Sequence, residues 1–162
     1  MVPTIRVREA DESDRDVLIG FHRNLYQSHR DEVVDKDDLP LIDYQDYERV
    51  LQDDLNALLK AQRTHVLVAE SDGVSVGYIT GRITVDHRRV LPRRGVVEDW
   101  YVVPESRGAG VGALLLAKLE KRFAEAGCEV IESATWSANE GARRAHDALG
   151  FREIRVVYRK RI

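Results

Sequence analysis

Three glycines at alternate positions, Gly108, Gly110 and Gly112, follow Arg107 and open a helical pattern. They lie in the segment Val102-Val103-Pro104-Glu105-Ser106-Arg107-Gly108-Ala109-Gly110-Val111-Gly112-Ala113. Glycine lets the main chain turn tightly and approach a ligand closely. The unpaired N–H groups of a helix's first turn, with the positive end of its dipole, make a site for an anion such as a pyrophosphate. Just upstream, Glu98 and Asp99 are adjacent carboxylates in a strand pattern, and strand alternation sends them to opposite faces. Downstream, Asn139 stands at a helix start and His146 within that helix. Cys128 is the single cysteine, which excludes an internal disulfide. It opens an apolar strand pattern and reads as a small hydrophobe rather than a nucleophile.

The elements that must position these groups follow from hydrophobic period. Ile5 and Val7 alternate with polar neighbours as a short strand, and Asp11-Glu12-Ser13-Asp14 caps a helix striped by Val17, Leu18, Phe21 and Leu25. Asp31 to Asp38 is acidic and broken, closed by Pro40, and reads as a loop. A second helix follows from about Asp43, with Tyr47, Val50, Leu51, Leu55, Leu58 and Leu59 on one face. His65 to Ala69 is a strand, Asp72-Gly73 a hairpin turn and Val74 to Val85 a long strand. Asp86 to Arg94 is a basic connector and Val96 to Val103 another strand. Gly110 to Ala126 is a helix ended by Gly127, and Cys128 to Trp136 a strand. Asn139 to Leu149 is a helix ended by Gly150, and Phe151 to Lys160 a closing strand. Tight hairpins alternating with helical crossovers define an α/β domain with a mixed sheet.

At 162 residues the chain fits one domain spanning 1–162, without repeats or linkers. Hydrophobic residues make up 43% and charged residues 33%, an ordinary globular balance. No apolar run approaches a membrane span, and Met1-Val2-Pro3-Thr4-Ile5-Arg6 carries no secretory signal, so the expected location is cytoplasmic. Residues 1–86 hold 18 of the 28 acidic side chains and 10 of the 25 basic ones, which leaves the second part basic. That asymmetry suits a cationic acceptor and a phosphate-bearing donor. Nucleic acid is disfavoured, because the basic residues form no stripe interleaved with aromatics and the pI is about 6.0. No metal-ligand pattern is present.

Gly108, Gly110 and Ala113 also satisfy the dinucleotide fingerprint, but its context is wrong. Pro104-Glu105-Ser106-Arg107 separate the strand from the first glycine, and too little chain remains for further βαβ units. Arg107-x-x-Gly110-x-Gly112 resembles instead the acyl-CoA signature of the GNAT superfamily of N-acetyltransferases. The resemblance runs through Glu98-Asp99-Trp100-Tyr101-Val102-Val103-Pro104-Glu105 upstream and Asn139-x-x-Ala142 and Leu149-Gly150-Phe151 downstream. It covers the C-terminal two-fifths of the chain; the rest agrees in element order alone.

The resemblance implies a mostly antiparallel sheet with a parallel, splayed strand pair flanked by about four helices. It also implies transfer of an acetyl group from acetyl-CoA by direct attack of a primary amine, a small cationic one that is polyamine-, diamine- or aminoglycoside-like. Backbone amides of Arg107, Gly108, Ala109, Gly110, Val111, Gly112 and Ala113 would hold the pyrophosphate. Main-chain groups of Tyr101, Val102 and Val103 would hold the pantetheine arm. An N–H near Tyr101 or Val102 would stabilise the oxyanion. Asn139 stands where the family uses an asparagine near that arm, though an N-cap role explains it equally. A protonated alkylamine titrates near pH 10, so a base is needed; Glu98 is the first candidate and Asp99 the second. His146 takes the place of the family's usual tyrosine as proton donor to the CoA thiolate, with Tyr158 and Tyr101 as alternatives. A homodimer is the default that the resemblance implies. A non-catalytic acyl-CoA-binding regulatory module and a protein or peptide N-terminal acetyltransferase are the competing readings.

Overall fold

The computed structural model describes residues 3–162, so Met1 and Val2 at the head of the N-terminal reading lie outside it. Strands β1 (Ile5–Glu9), β2 (Thr64–Ser71), β3 (Val74–Val85), β4 (Arg93–Val102) and β5 (Val130–Glu132) form one sheet in chain order. β1 to β4 are antiparallel neighbours, whereas β5 runs parallel to β4. Helices α1 (Arg15–Ser28) and α2 (Tyr47–Lys60) cross over from β1 to β2. Helix α3 (Val111–Glu125) joins β4 to β5, and α4 (Glu140–Ala148) follows β5. The mixed sheet and its parallel β4–β5 pair are those the resemblance implied.

The sheet separates two apolar layers. Leu115, Leu119 and Phe123 of α3 pack on Leu67, Ile79 and Val97 on one face. Leu18 and Phe21 of α1, with Leu51 and Leu55 of α2, pack on Val66, Val68, Tyr78 and Tyr101 on the other. This is the outcome expected when alternating strand residues meet helices striped at 3.6-residue spacing. Phe123 can approach this closely because Gly95 is beneath it; a Cβ at that position would fall 2.1 Å from the ring.

The entry to α1 is fixed by charge. Asp11 and Asp14 cap the turn Glu12–Asp14 reciprocally, and Arg8 of β1 bonds Asp14 at 2.7 Å. The Arg8 guanidinium holds the Asp14 carboxyl below the usual carboxylate range. The β2–β3 hairpin turns at Asp72-Gly73, both with positive φ, as a type I′ connection requires.

Several elements differ from the sequence reading. The acidic segment read as a loop winds into a π-helical turn, His29–Val33, and a 3-10 turn, Lys36–Leu41. In the second turn the Asp35 side chain accepts from Asp37 N–H, a local bond that hydrophobic period does not reveal. Helix α2 begins at Tyr47 rather than Asp43, capped by Asp46. The strand expected over Cys128 to Trp136 is ordered as a strand only at Val130–Glu132, because β4 faces it only from Arg94 to Val96. The closing strand expected over Phe151 to Lys160 is absent, and Ile154, Val156, Val157 and Tyr158 are exposed. Alternation alone forms no strand; the segment stays apart from the outer edge of β5, and among the described residues it forms no ladder bonds.

Candidate active site

Beyond Val96, β4 parts from β5 and its outer edge opens. Val103 donates its N–H to Val76 O at 2.9 Å, toward β3. Strand alternation turns the Tyr101 amide the same way and presents those of Trp100 and Val102 to the open edge. The Val102 carbonyl accepts from Arg107 Nε at 2.9 Å, so Arg107 ties the strand to the turn that follows. Of Tyr101, Val102 and Val103, Val102 therefore has the main chain aimed into the cleft. The Tyr101 ring is buried beside Phe21.

That turn leads through Gly108 and Gly110, at φ +79° and +81°, into α3. Gly110 occupies the N-cap in the left-handed region and offers no side-chain cap to the first-turn amides. Arg107, Gly108, Ala109, Gly110, Val111, Gly112 and Ala113 thus form one continuous glycine-rich turn and helix start, beside the open edge of β4. The Trp100 indole lies against Gly112 and meets the His146 ring edge-on at 5.6 Å.

His146 sits across the cleft on α4. Its Nδ1 is 2.6 Å from Ala142 O, so that nitrogen carries the hydrogen. Nε2 then accepts from the Ser133 hydroxyl at 2.7 Å and can donate only as imidazolium. Asn139 accepts from Ala142 N–H at 3.0 Å and caps α4, which is the structural one of its two candidate roles. Tyr158 is exposed outside the cleft.

The acidic pair is arranged differently from the alternation rule. The β3–β4 register slips between Thr80 and Gly81, and this bulge turns both Glu98 and Asp99 toward α1 and α2. Both line a cavity of about 390 Å³ with His22, Asp54, Thr64 and Arg82. Glu98 is held by Arg82 in a partly exposed ion pair. Asp99 lies deeper: Thr80 Oγ1 donates to its Oδ2 at 2.7 Å, and His22 Nδ1 stands 3.4 Å from its Oδ1. Burial pushes the Asp99 carboxyl up, only partly offset by His22. Arg82 also lines a second cavity of about 280 Å³ with Arg89, Arg94, Asp86 and Glu132.

His22, Asp54, Thr80 and Arg82 had no place in the sequence reading of the site. The one signal was His22 itself, a titratable side chain between Leu18 and Leu25 on the inward stripe of α1. Burial likewise raises the Tyr78 hydroxyl, whose oxygen is 2.7 Å from His22 Nδ1.

The acetyltransferase (GNAT) family profile matches residues 23–151. The chain belongs to the GNAT acetyltransferase family. As a GNAT enzyme it is an acetyl-CoA-dependent N-acetyltransferase. It is 34% identical over 111 residues to an aminoglycoside N(6')-acetyltransferase type 1 of Stenotrophomonas maltophilia, covering 67% of this chain and 72% of the relative. It is 27% identical over 159 residues to the protein of the same name from Salmonella typhimurium LT2, covering 96% and 98%. Among solved structures, AAC(6')-Iy in complex with a CoA-linked monomethyl-acetylneamine bisubstrate analogue superposes with a TM-score of 0.75. The identity there is 25%, over 98% of this chain and 99% of that one. The GNAT match includes the cleft, the glycine turn and α4.

Proposed function

We propose that this GNAT enzyme acetylates an amino group of an aminoglycoside-like polyamine, with Asp99 as the base. The observation that carries this reading is the buried Asp99 in a cavity with Glu98 and Asp54, beside the open edge of β4. Three carboxylates suit an acceptor bearing several ammonium groups. The named relatives and the AAC(6')-Iy complex support the same substrate class.

Acetyl-CoA supplies an activated acetyl carbonyl and a thiolate leaving group. The donor-binding residues fit it: amides from Arg107 to Ala113 would hold the diphosphate, with the left-handed Gly110 leaving the helix start uncovered. The Val102 N–H, on the open edge of β4, would be the main-chain donor for the pantetheine arm or the acetyl oxygen. Asp99 accepts a proton from the acceptor ammonium, and its raised proton affinity brings it nearer the working pH than an ordinary carboxylate. Glu98, engaged by Arg82, orients the acceptor's remaining charge. His146 would give the thiolate a proton as imidazolium, from the Nε2 that otherwise accepts from Ser133. The test is to incubate the enzyme with acetyl-CoA and two aminoglycosides, one with a 6'-amine and one with a 6'-hydroxyl in its place. Thiol release with the first alone supports the reading; release with neither overturns it.

Two copies of the chain form a homodimer in this proposal. From Arg152 on, strand alternation would put Ile154, Val156, Tyr158 and Ile162 on one face with Lys160, and Arg155, Arg159 and Arg161 on the other with Val157. This segment is outside the sheet while β5 keeps one edge unpaired. Reciprocal pairing of the segment with the partner's β5 satisfies both at once.

A further inference from the structure

We propose that His22 is a positioning residue that keeps Asp99 ionised and aimed into the acceptor cavity, with Asp54 holding the opposite side of its imidazole ring. This rests on Asp99 as the base. His22 projects from α1 with its side chain only 13% exposed. Its Nδ1 is 3.4 Å from Asp99 Oδ1, and its Nε2 is 3.9 Å from Asp54 Oδ2. The nearer partner of Nδ1 is the Tyr78 hydroxyl at 2.7 Å, so the ring is held between that hydroxyl and the two carboxylates.

The groups facing His22 come from three further elements. From α2 come Asp54 and Tyr47, whose hydroxyl donates to the His22 carbonyl at 3.2 Å and fixes that turn of α1. From β3 comes Tyr78, whose hydroxyl stays protonated and supplies no charge. From β4 comes Asp99, and Glu98 and Arg82 complete the shared cavity. Arg82 is bound to Glu98, so among the described residues the basic side chain beside Asp99 is His22. Where water is largely excluded, a proton carried by that ring strongly favours the carboxylate over the acid. Without it, Asp99 would be left with the penalty of burial and would stay protonated to higher pH.

The test is His22→Gln, which keeps a hydrogen-bond donor and removes the charge. The acid limb of kcat/KM is expected to move up by about one to three pH units, with acetyl-CoA affinity by calorimetry unchanged. A uniform loss at every pH, with the limb in place, overturns the proposal and leaves His22 a packing residue. Asp54→Asn, at a half-exposed position, carries the same test if His22→Gln fails to fold; its limb is expected to move the same way by less. A carbon-detected NMR titration of the Asp99 carboxyl gives a readout that does not need turnover. Its midpoint is expected to rise in His22→Gln, and an unmoved midpoint overturns the proposal. If Asp99→Asn kept full activity, the base assignment would fail while this titration still reported on the His22–Asp99 pair.

Discussion

Thr80 and Asp99 bond each other in both directions across β3 and β4. The Thr80 hydroxyl donates to the Asp99 carboxylate at 2.7 Å and accepts from the Asp99 N–H at 3.1 Å. Thr80 is fully buried, so the pair fixes one orientation of the acid beside the bulge. The Asp99 oxygen nearest His22 is the one not engaged by Thr80.

Replacing Asp99 separates catalysis from stability. Asp99→Asn should lower kcat/KM by about 10²–10⁴-fold, the usual contribution of a positioned base, with acetyl-CoA binding intact. Folding raises the carboxyl's proton affinity, so its favourable contribution is present at low pH and lost as pH rises through the folded value. Asp99→Asn should therefore raise Tm at pH 8, with the gain shrinking toward pH 4. A variant less stable than the wild type at pH 8 would contradict this.

Gly110 is held by conformation, since a Cβ there would meet nothing within 4 Å. Gly110→Ala should destabilise by about 1 kcal/mol through strain at positive φ and weaken coenzyme A modestly. Gly110→Glu adds a charge that repels the diphosphate and should abolish binding by calorimetry. Equal affinity in the two variants would remove the helix start from the donor site.

His146 is the proposed proton donor to the thiolate, and its replacement tests that role. His146→Phe keeps an aromatic against Trp100 and Phe151 but loses the bond to Ser133. Steady-state kcat should fall while coenzyme A affinity holds, and the loss should be smaller for acyl donors with a more acidic thiol. Full activity with every donor would reduce the residue to packing.

Phe123 tests the core on the donor face. Phe123→Ala should cost about 3–5 kcal/mol by emptying the space above Gly95, read by denaturant unfolding. A loss below about 1 kcal/mol would show that neighbours close the gap.

Deleting Arg152–Ile162 should convert a dimer into a monomer in sedimentation velocity, since Phe151 stays anchored in the core. Ile154→Glu with Tyr158→Glu should do the same. A full-length chain that sediments as a monomer refutes the exchange of segments.

The glycine turn and α3 were legible because their signals are local: period, alternate glycines and Pro104. The mixed sheet came from element order. The orientation of Glu98 and Asp99 was not legible, because one slip of register at Thr80 overrides alternation and nothing in the local sequence marks it. His22 was hidden for another reason. Its partners, Tyr78, Asp54 and Asp99, are distant along the chain, and the pairing exists only once α1 and α2 lie on the sheet. For the segment 151–162, the alternation was legible, but whether the segment pairs with an edge is decided by tertiary placement, and here it stays out of the sheet.

Arg82 stands between two cavities, with its guanidinium on Glu98. Ion pairs this exposed are weak and yield to competing charge. A second ammonium on an acceptor would compete with Arg82 for Glu98, while the three arginines around the far chamber would turn the cation back. The wall would then sort acceptors by the placing of their charges, and added salt would blur that sorting.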